Sequence, residues 1–206
     1  MRDKTYAFID AANLFYGGKK SLGWSIDYSK LLRYLKSKYK VSKAFYYAGF
    51  ETNGFPYSVL SKNSIDLNKL LIHFKNKYKE KTNVLIKKQI AIKIQRIKFY
   101  IKLKNFGYIL KLKQTKIYRE QGKTIKKANC DVDMTLDLVR YMEQYSSALV
   151  LSGDGDFAVV LKYLLGKKRK IFVLARGERS SKDIKQLIAG DFRDFHRLRK
   201  EIEFKE

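Results

Sequence analysis

The sequence predicts an α/β fold, with a mostly parallel central sheet of about five strands flanked by helices. Three observations predict it. Short, continuous apolar runs alternate with segments of helical periodicity, and uninterrupted apolar strands belong to parallel sheets covered on both faces. The 206 residues are 45% hydrophobic and 32% charged, enough to bury a substantial core in one domain. There is no internal repeat and no Pro/Gly/Ser-rich linker, and Pro56 is the only proline. One domain over 1–206 is therefore expected.

The elements follow in order. Tyr6-Ala7-Phe8-Ile9 reads as a buried strand that ends in Asp10. A turn-like stretch surrounds Gly17-Gly18. From Asp27, a plausible N-cap, Tyr28, Leu31, Leu32 and Leu35 fall at helical spacing. Ala44–Ala48 is a second strand, stopped near Gly49. Gly54, Pro56 and several asparagines suggest a loop within 50–83, with a short helix from about Ile65 to Phe74. Val84 to Asn105 reads as a long helix, with Gly107 suited to stop it. Tyr108–Leu112 is a third strand, Asp131–Tyr145 a helix and Ala148–Leu151 a fourth strand. Phe157, Val160, Leu161 and Leu164 begin another helix. Lys170–Leu174 is a fifth strand, and Ser181–Ala189 a last helix.

Charge narrows the function classes. There are 45 Lys+Arg against 20 Asp+Glu, a formal net charge of +25. A soluble protein this basic usually meets a polyanion, nucleic acid first and an anionic membrane surface second; the ordinary alternative is charge that serves solubility or a Lys-rich coding bias. Cys130 stands alone, which excludes an intramolecular disulfide framework and a cysteine-based zinc finger. His73 and His196 form no metal-ligand motif. The first residues lack the apolar region of a signal peptide. No apolar window of about 18 residues is free of charge; Val84–Leu103 comes closest, and lysines at 87, 88, 93, 98 and 102 interrupt it. A cytoplasmic protein with no membrane partner is expected.

The acids fall where such a sheet builds its site, beyond the carboxyl ends of strands. The first strand ends in Asp10, with Asn13 three residues on. The fourth runs into Ser152-Gly153-Asp154-Gly155-Asp156-Phe157, a turn its glycines permit. A third group is Asp131, Asp133 and Asp137. Each has an ordinary alternative. Asp10, Asp154 or Asp156 could cap a helix, and Asp133 and Asp137 could form a solvated face paired with Lys127 or Arg140. Gathered together, carboxylates repel unless a cation neutralises them. Hard oxygen donors suit Mg²⁺ or Mn²⁺, ions that activate water and stabilise displacement at phosphorus.

These residues resemble the NYN/LabA-like branch of the PIN-like ribonuclease superfamily. The resemblance lies in Phe8-Ile9-Asp10-Ala11-Ala12-Asn13-Leu14, in the stretch from Lys127 to Asp137, and in Ser152 to Phe157, over roughly 5–18 and 106–195. It implies a PIN-like three-layer sandwich and a divalent-metal endoribonuclease. By position it places Asp10, Asp131, Asp137, Asp154 and Asp156 at the metal and Asn13 beside them as a catalytic-site residue. Straight helix geometry instead pairs Asp133 with Asp137, so Asp133 is held in reserve. Residues of about 50–105 match the pattern poorly and read as a Lys-rich helical insertion.

Residues 75–127 hold 16 Lys and 2 Arg against Glu80 and Glu120. Charge this concentrated favours phosphate contacts. Lys87, Lys88, Lys93, Lys98, Lys126 and Lys127 are the candidate RNA-binding residues. The interleaved Tyr78, Phe99, Tyr100, Phe106, Tyr108 and Tyr118 could stack on bases or pack in the core. The expected activity is metal-dependent hydrolysis of single-stranded or structured RNA. Its competitors are a non-catalytic RNA-binding or regulatory module on the same fold and a nucleotide-handling enzyme. The sequence lacks the Gly-rich loops the last would need. A homodimer is allowed by the sequence, not required.

Overall fold

The computed structural model describes residues 4–17, 23–58, 64–120 and 123–205. Gly18 of the predicted Gly17-Gly18 turn lies outside them. Eight strands are present among these residues: β1 (Thr5–Asp10), β2 (Val41–Phe50), β3 (Ile109–Gln114), β4 (Lys116–Glu120), β5 (Lys123–Lys127), β6 (Ser147–Leu151), β7 (Lys170–Ala175) and β8 (Phe192–Asp194). Six of them form one sheet in the order β3-β2-β1-β6-β7-β8, with every neighbouring pair parallel. β4 and β5 pair only with each other, antiparallel.

The chain winds outward from β1 to β2 and β3. It then returns to the other side of β1 and winds outward again through β6, β7 and β8. Winding therefore reverses between β1 and β6. In sheets of this kind ligands bind at that point, outside the carboxyl ends of the strands, because the connecting helices leave in opposite directions.

The helices are α1 (Ala11–Gly17), α2 (Tyr28–Tyr39), α3 (Leu67–Glu80), α4 (Val84–Phe106), α5 (Asp131–Arg140), α6 (Ala158–Gly166), α7 (Lys182–Ile188) and α8 (Arg199–Ile202). They cover the two faces of the sheet. Ala7 and Ile9 of β1 join Leu31 and Leu35 of α2, Phe74 of α3, and Ile97 and Leu103 of α4 in one core. Tyr6 and Phe8 join Met134 and Leu138 of α5, Leu161 and Leu164 of α6, and Ile184 of α7 in the other. Side chains alternate along a strand, so Asp10 shares the parity of Tyr6 and Phe8, the α5–α6 side. This is the expected three-layer α/β arrangement.

Local chemistry explains the boundaries. Asp27 caps α2 by accepting from the Ser29 and Lys30 amides, at 2.9 and 3.0 Å. Asp66 caps α3 in the same way, and that helix runs on to Glu80, six residues past the predicted end. Gly107 stops α4 in the left-handed conformation, φ 103°. α4 is apolar on several sides: Ile90, Ile97, Tyr100 and Leu103 are buried, whereas Val84 and Leu85 are 77% and 71% exposed.

One expected boundary needs correction, and three elements add to the expected set. The stretch after Asp10 is a helix, because the Asp10 carboxylate caps it. α5 stops at Arg140 rather than Tyr145, since Tyr145 turns into the core against Tyr6 and Phe8, with ring centroids 5.5 and 5.8 Å away. The β4–β5 ribbon, a self-paired hairpin, has no apolar run to reveal it. β8 is only three residues long.

Candidate acidic site at the switch point

Asp10 is the last residue of β1 and its side chain is divided between two tasks. Oδ1 accepts from the amides of Ala12 and Asn13, at 2.9 and 3.3 Å, and so starts α1. Oδ2 accepts from the hydroxyl of Ser152, at 3.2 Å. Ser152 is fully buried. Its oxygen also accepts from the Asp154 amide, at 3.3 Å, a double use open to a hydroxyl. Asn13 closes a second tie across the switch point, its Oδ1 accepting from the Gly153 amide at 3.3 Å. Asp154 in turn accepts from the Asp156 amide, at 3.1 Å. The ends of β1 and β6 are thus laced together by the acids and their partners.

Asp131 opens α5, its amide donating to Asn129 at 3.2 Å. Burial raises its pKa first, and Asp154 and Asp156 raise it further, against the pull of Lys127 and Lys113. Burial likewise raises that of Asp10, with Asp131 adding to it, against the hydrogen bonds from Asn13, Ser152 and Ala12. Asp131 therefore lies within electrostatic reach of Asp10, Asp154 and Asp156. Among the described side chains, no lysine or arginine forms an ion pair with any of these four.

Asp137 is placed differently. It is 4% exposed and accepts from the Tyr47 hydroxyl at 3.1 Å. Lys111 and Arg140 pair with it at 3.0 and 3.2 Å. Its charge is answered inside the protein. Asp133 pairs with Lys113 at 2.6 Å on the exposed side of α5. Of the three acids on this helix, Asp131 is the one whose charge is coupled to Asp154 and Asp156.

The donor set fits a hard divalent cation. All four acids offer carboxylate oxygen, and two of them, Asp10 and Asp131, hold protons more tightly than usual, first through burial and then through repulsion from neighbouring acids. Among the described residues, no three acidic, histidine or cysteine side chains are grouped so that they could hold a metal ion together. Mg²⁺ can also bind through one or two carboxylates, with waters and substrate phosphate completing its shell.

The lysines divide as well. Lys88, Lys98 and Lys127 are exposed. Lys87 lies over the Tyr78 ring, 5.4 Å from its centroid. Lys93 is occupied by Glu51 at 3.0 Å and by the Asn53 side chain at 2.9 Å. The Lys126 side chain lies outside the described groups. Of the aromatics, Tyr100 and Tyr108 are buried and Tyr118 is exposed.

Sequence reasoning missed Tyr47 and Lys111, which neutralise Asp137 from β2 and β3. Neither carries a local signal, because their role depends on strand neighbours far apart in sequence. The tie from Ser152 to Asp10 likewise carries no local signal, because it joins residues 142 apart in sequence.

A parallel sheet covered by helices on both faces, with aspartates gathered at its switch point, defines a doubly wound α/β domain with an acidic site. More narrowly, the NYN domain model matches residues 4–95 and 55–194, and the chain belongs to the NYN domain family. It is 22% identical over 177 residues to the low amplitude and bright protein LabA of Synechococcus elongatus, covering 82% of this chain and 71% of that protein. A protein of unknown function from Vibrio parahaemolyticus has the same fold, with a TM-score of 0.63, 16% identity, and coverage of 98% of this chain and 96% of that one. Among the described residues, no helix is long and apolar enough to cross a membrane.

Proposed function

We propose that the protein is an endoribonuclease that hydrolyses RNA phosphodiester bonds with the help of Mg²⁺ or Mn²⁺. The observation that carries this reading is the group of four aspartates at the switch point that lack a described cationic partner, in a chain of net charge +25. Asp10 and Asp154 are the direct oxygen donors. Asp131 and Asp156 complete the negative lining, and Asn13 and Ser152 hold the two loops in register. When bound, the ion supplies the countercharge and lowers the pKa of a water for attack on phosphorus. Lysines outside the pocket, Lys127 first, hold the RNA strand. Asp137 is assigned a structural role.

The test is cleavage of labelled RNA with Mg²⁺ or Mn²⁺, with EDTA and Asp154→Asn as controls. Cleavage that needs the ion and disappears in the variant supports the reading. Cleavage that survives both overturns it. One observation favours the non-catalytic alternative: Asp137, an acid expected in the pocket, is already neutralised by Lys111 and Arg140. RNA binding without cleavage under either ion would establish that alternative.

A further inference from the structure

The β4–β5 ribbon stands apart from the main sheet and packs extensively against no other described element. Only its root is fixed. The Thr115 amide donates to the Phe50 carbonyl at 2.8 Å. Thr115 and Ala128 then close on Gly49, where a Cβ would stand 3.0 Å from the threonine hydroxyl and 2.6 Å from the alanine methyl. Three residues link the end of β5 to Asp131.

The register defines one face of the ribbon. Lys116 lies opposite Lys127, and Tyr118 opposite Ile125. Residues two apart share a face, so all four project together. Tyr118 is 49% exposed and Ile125 41%. Like charges directly opposite each other destabilise a ladder, and a lone two-stranded ribbon is marginal in water. This ribbon combines both weaknesses and exposes an aromatic ring beside the Lys116–Lys127 pair, with Glu120 next along the same face. Residues 113–127 hold six cations against Glu120. A strand of alternating phosphate and base meets each of these features with its complement.

We infer that this ribbon face clamps a single RNA strand at the mouth of the acidic pocket, with Tyr118 stacked on an unpaired base and Lys116 and Lys127 on the neighbouring phosphates. The inference rests on RNA being the substrate, as proposed above. Stacking needs a base whose face is free, which single strands supply and duplexes withhold. A-form RNA has a major groove too deep and narrow to read. The major groove of B-DNA does admit a two-stranded ribbon, so duplex DNA is the discriminating competitor.

The experiment is fluorescence anisotropy on the 206-residue chain carrying Asp154→Asn, in EDTA, where neither metal nor turnover contributes. The probe is a labelled single-stranded RNA, with blunt RNA and DNA duplexes as competitors. Tyr118→Ala should weaken single-strand binding about 5- to 100-fold, the range of one lost stack, while Tyr118→Phe retains it. Lys116→Ala and Lys127→Ala should each lower the slope of log affinity against log salt by about 0.7. Single-strand affinity unchanged in a folded Tyr118→Ala, or duplex DNA outcompeting single-stranded RNA, overturns the clamp. Parent protein that binds no RNA overturns the clamp and the RNA reading together. Tyr118-dependent binding in a parent that never cleaves sinks only the nuclease.

Discussion

The hydroxyl of Ser152 donates to the Oδ2 of Asp10 at 3.2 Å, across 142 residues of sequence and across the switch point of the sheet. The same oxygen accepts from the Asp154 amide. One buried side chain therefore orients two acids on different strands.

Removing that hydroxyl should be felt by both. Ser152→Ala leaves Asp10 Oδ2 without its protein donor and Asp154 without an acceptor for its amide. Groups that orient metal-binding carboxylates are worth about 10–100-fold in metal affinity or activity, so Mg²⁺-dependent cleavage should fall by that factor. Stability should fall by about 1–2 kcal/mol, the cost of one buried hydrogen bond with its partner left unpaired. Steady-state cleavage and urea unfolding check the two effects. Activity within twofold of wild type would remove Ser152 from the site.

Crowded charge makes a second prediction with the opposite sign in stability. Asp131 is pushed up in pKa by burial and by Asp154 and Asp156, so metal-free protein carries repulsion that the neutral isostere relieves. Asp154→Asn keeps an oxygen to cap the Asp156 amide. In EDTA the variant should melt about 1–3 °C above the parent. Adding Mg²⁺ should raise the melting temperature of the parent by mass action and leave the variant unmoved. A parent insensitive to Mg²⁺ and Mn²⁺ would contradict the cation site.

The candidate acids of β1 and β6 stand out in the sequence because local patterns carry them. Asp10 ends an apolar run, and Ser152–Phe157 joins a strand to a helix through two glycines. Both place acids at carboxyl ends of strands, where a parallel sheet exposes them. Asp137 was not legible. Its spacing from Asp131 suits the pocket, but its partners are Tyr47 on β2 and Lys111 on β3, and strand order alone brings these under α5. β4 and β5 were hidden for a related reason. Their described side chains are exposed, so hydrophobic periodicity has no purchase on them.

Asp137 should accordingly behave as a stabilising residue. Lys111→Met leaves its buried carboxylate with Tyr47 and the more exposed Arg140. Breaking a fully buried pair costs about 3–5 kcal/mol; Lys111 keeps 30% of its side chain in solvent, so about 2 kcal/mol is expected here. The Mg²⁺-induced melting shift should persist in this variant. Chemical denaturation with and without Mg²⁺ separates the two readings. A folded, equally stable protein that has lost the metal response would return Asp137 to the pocket.

Gly153 supplies the sharpest steric test of the site. A Cβ built on it would stand 3.0 Å from the Cα of Ser180 and 2.9 Å from that residue's Cβ. These atoms belong to backbone or its first side-chain carbon, so they cannot swing aside. The Ser181 amide also donates to the Gly153 carbonyl at 2.9 Å, which pins the two segments together. Gly153→Ala must therefore move the turn itself, and with it the amide that Asn13 accepts and the neighbouring Asp154. Overpacking of this kind costs about 1–3 kcal/mol, and cleavage should fall with it because Asp154 is displaced from Asp10. Gly166→Ala is the control: nothing lies within 4 Å of its added methyl, and alanine at a helix position is about 0.5–1 kcal/mol better than glycine. If Gly153→Ala matched Gly166→Ala in stability and cleavage, the close approach of the Ser152–Asp154 turn to Ser180 would have no part in shaping the acidic site.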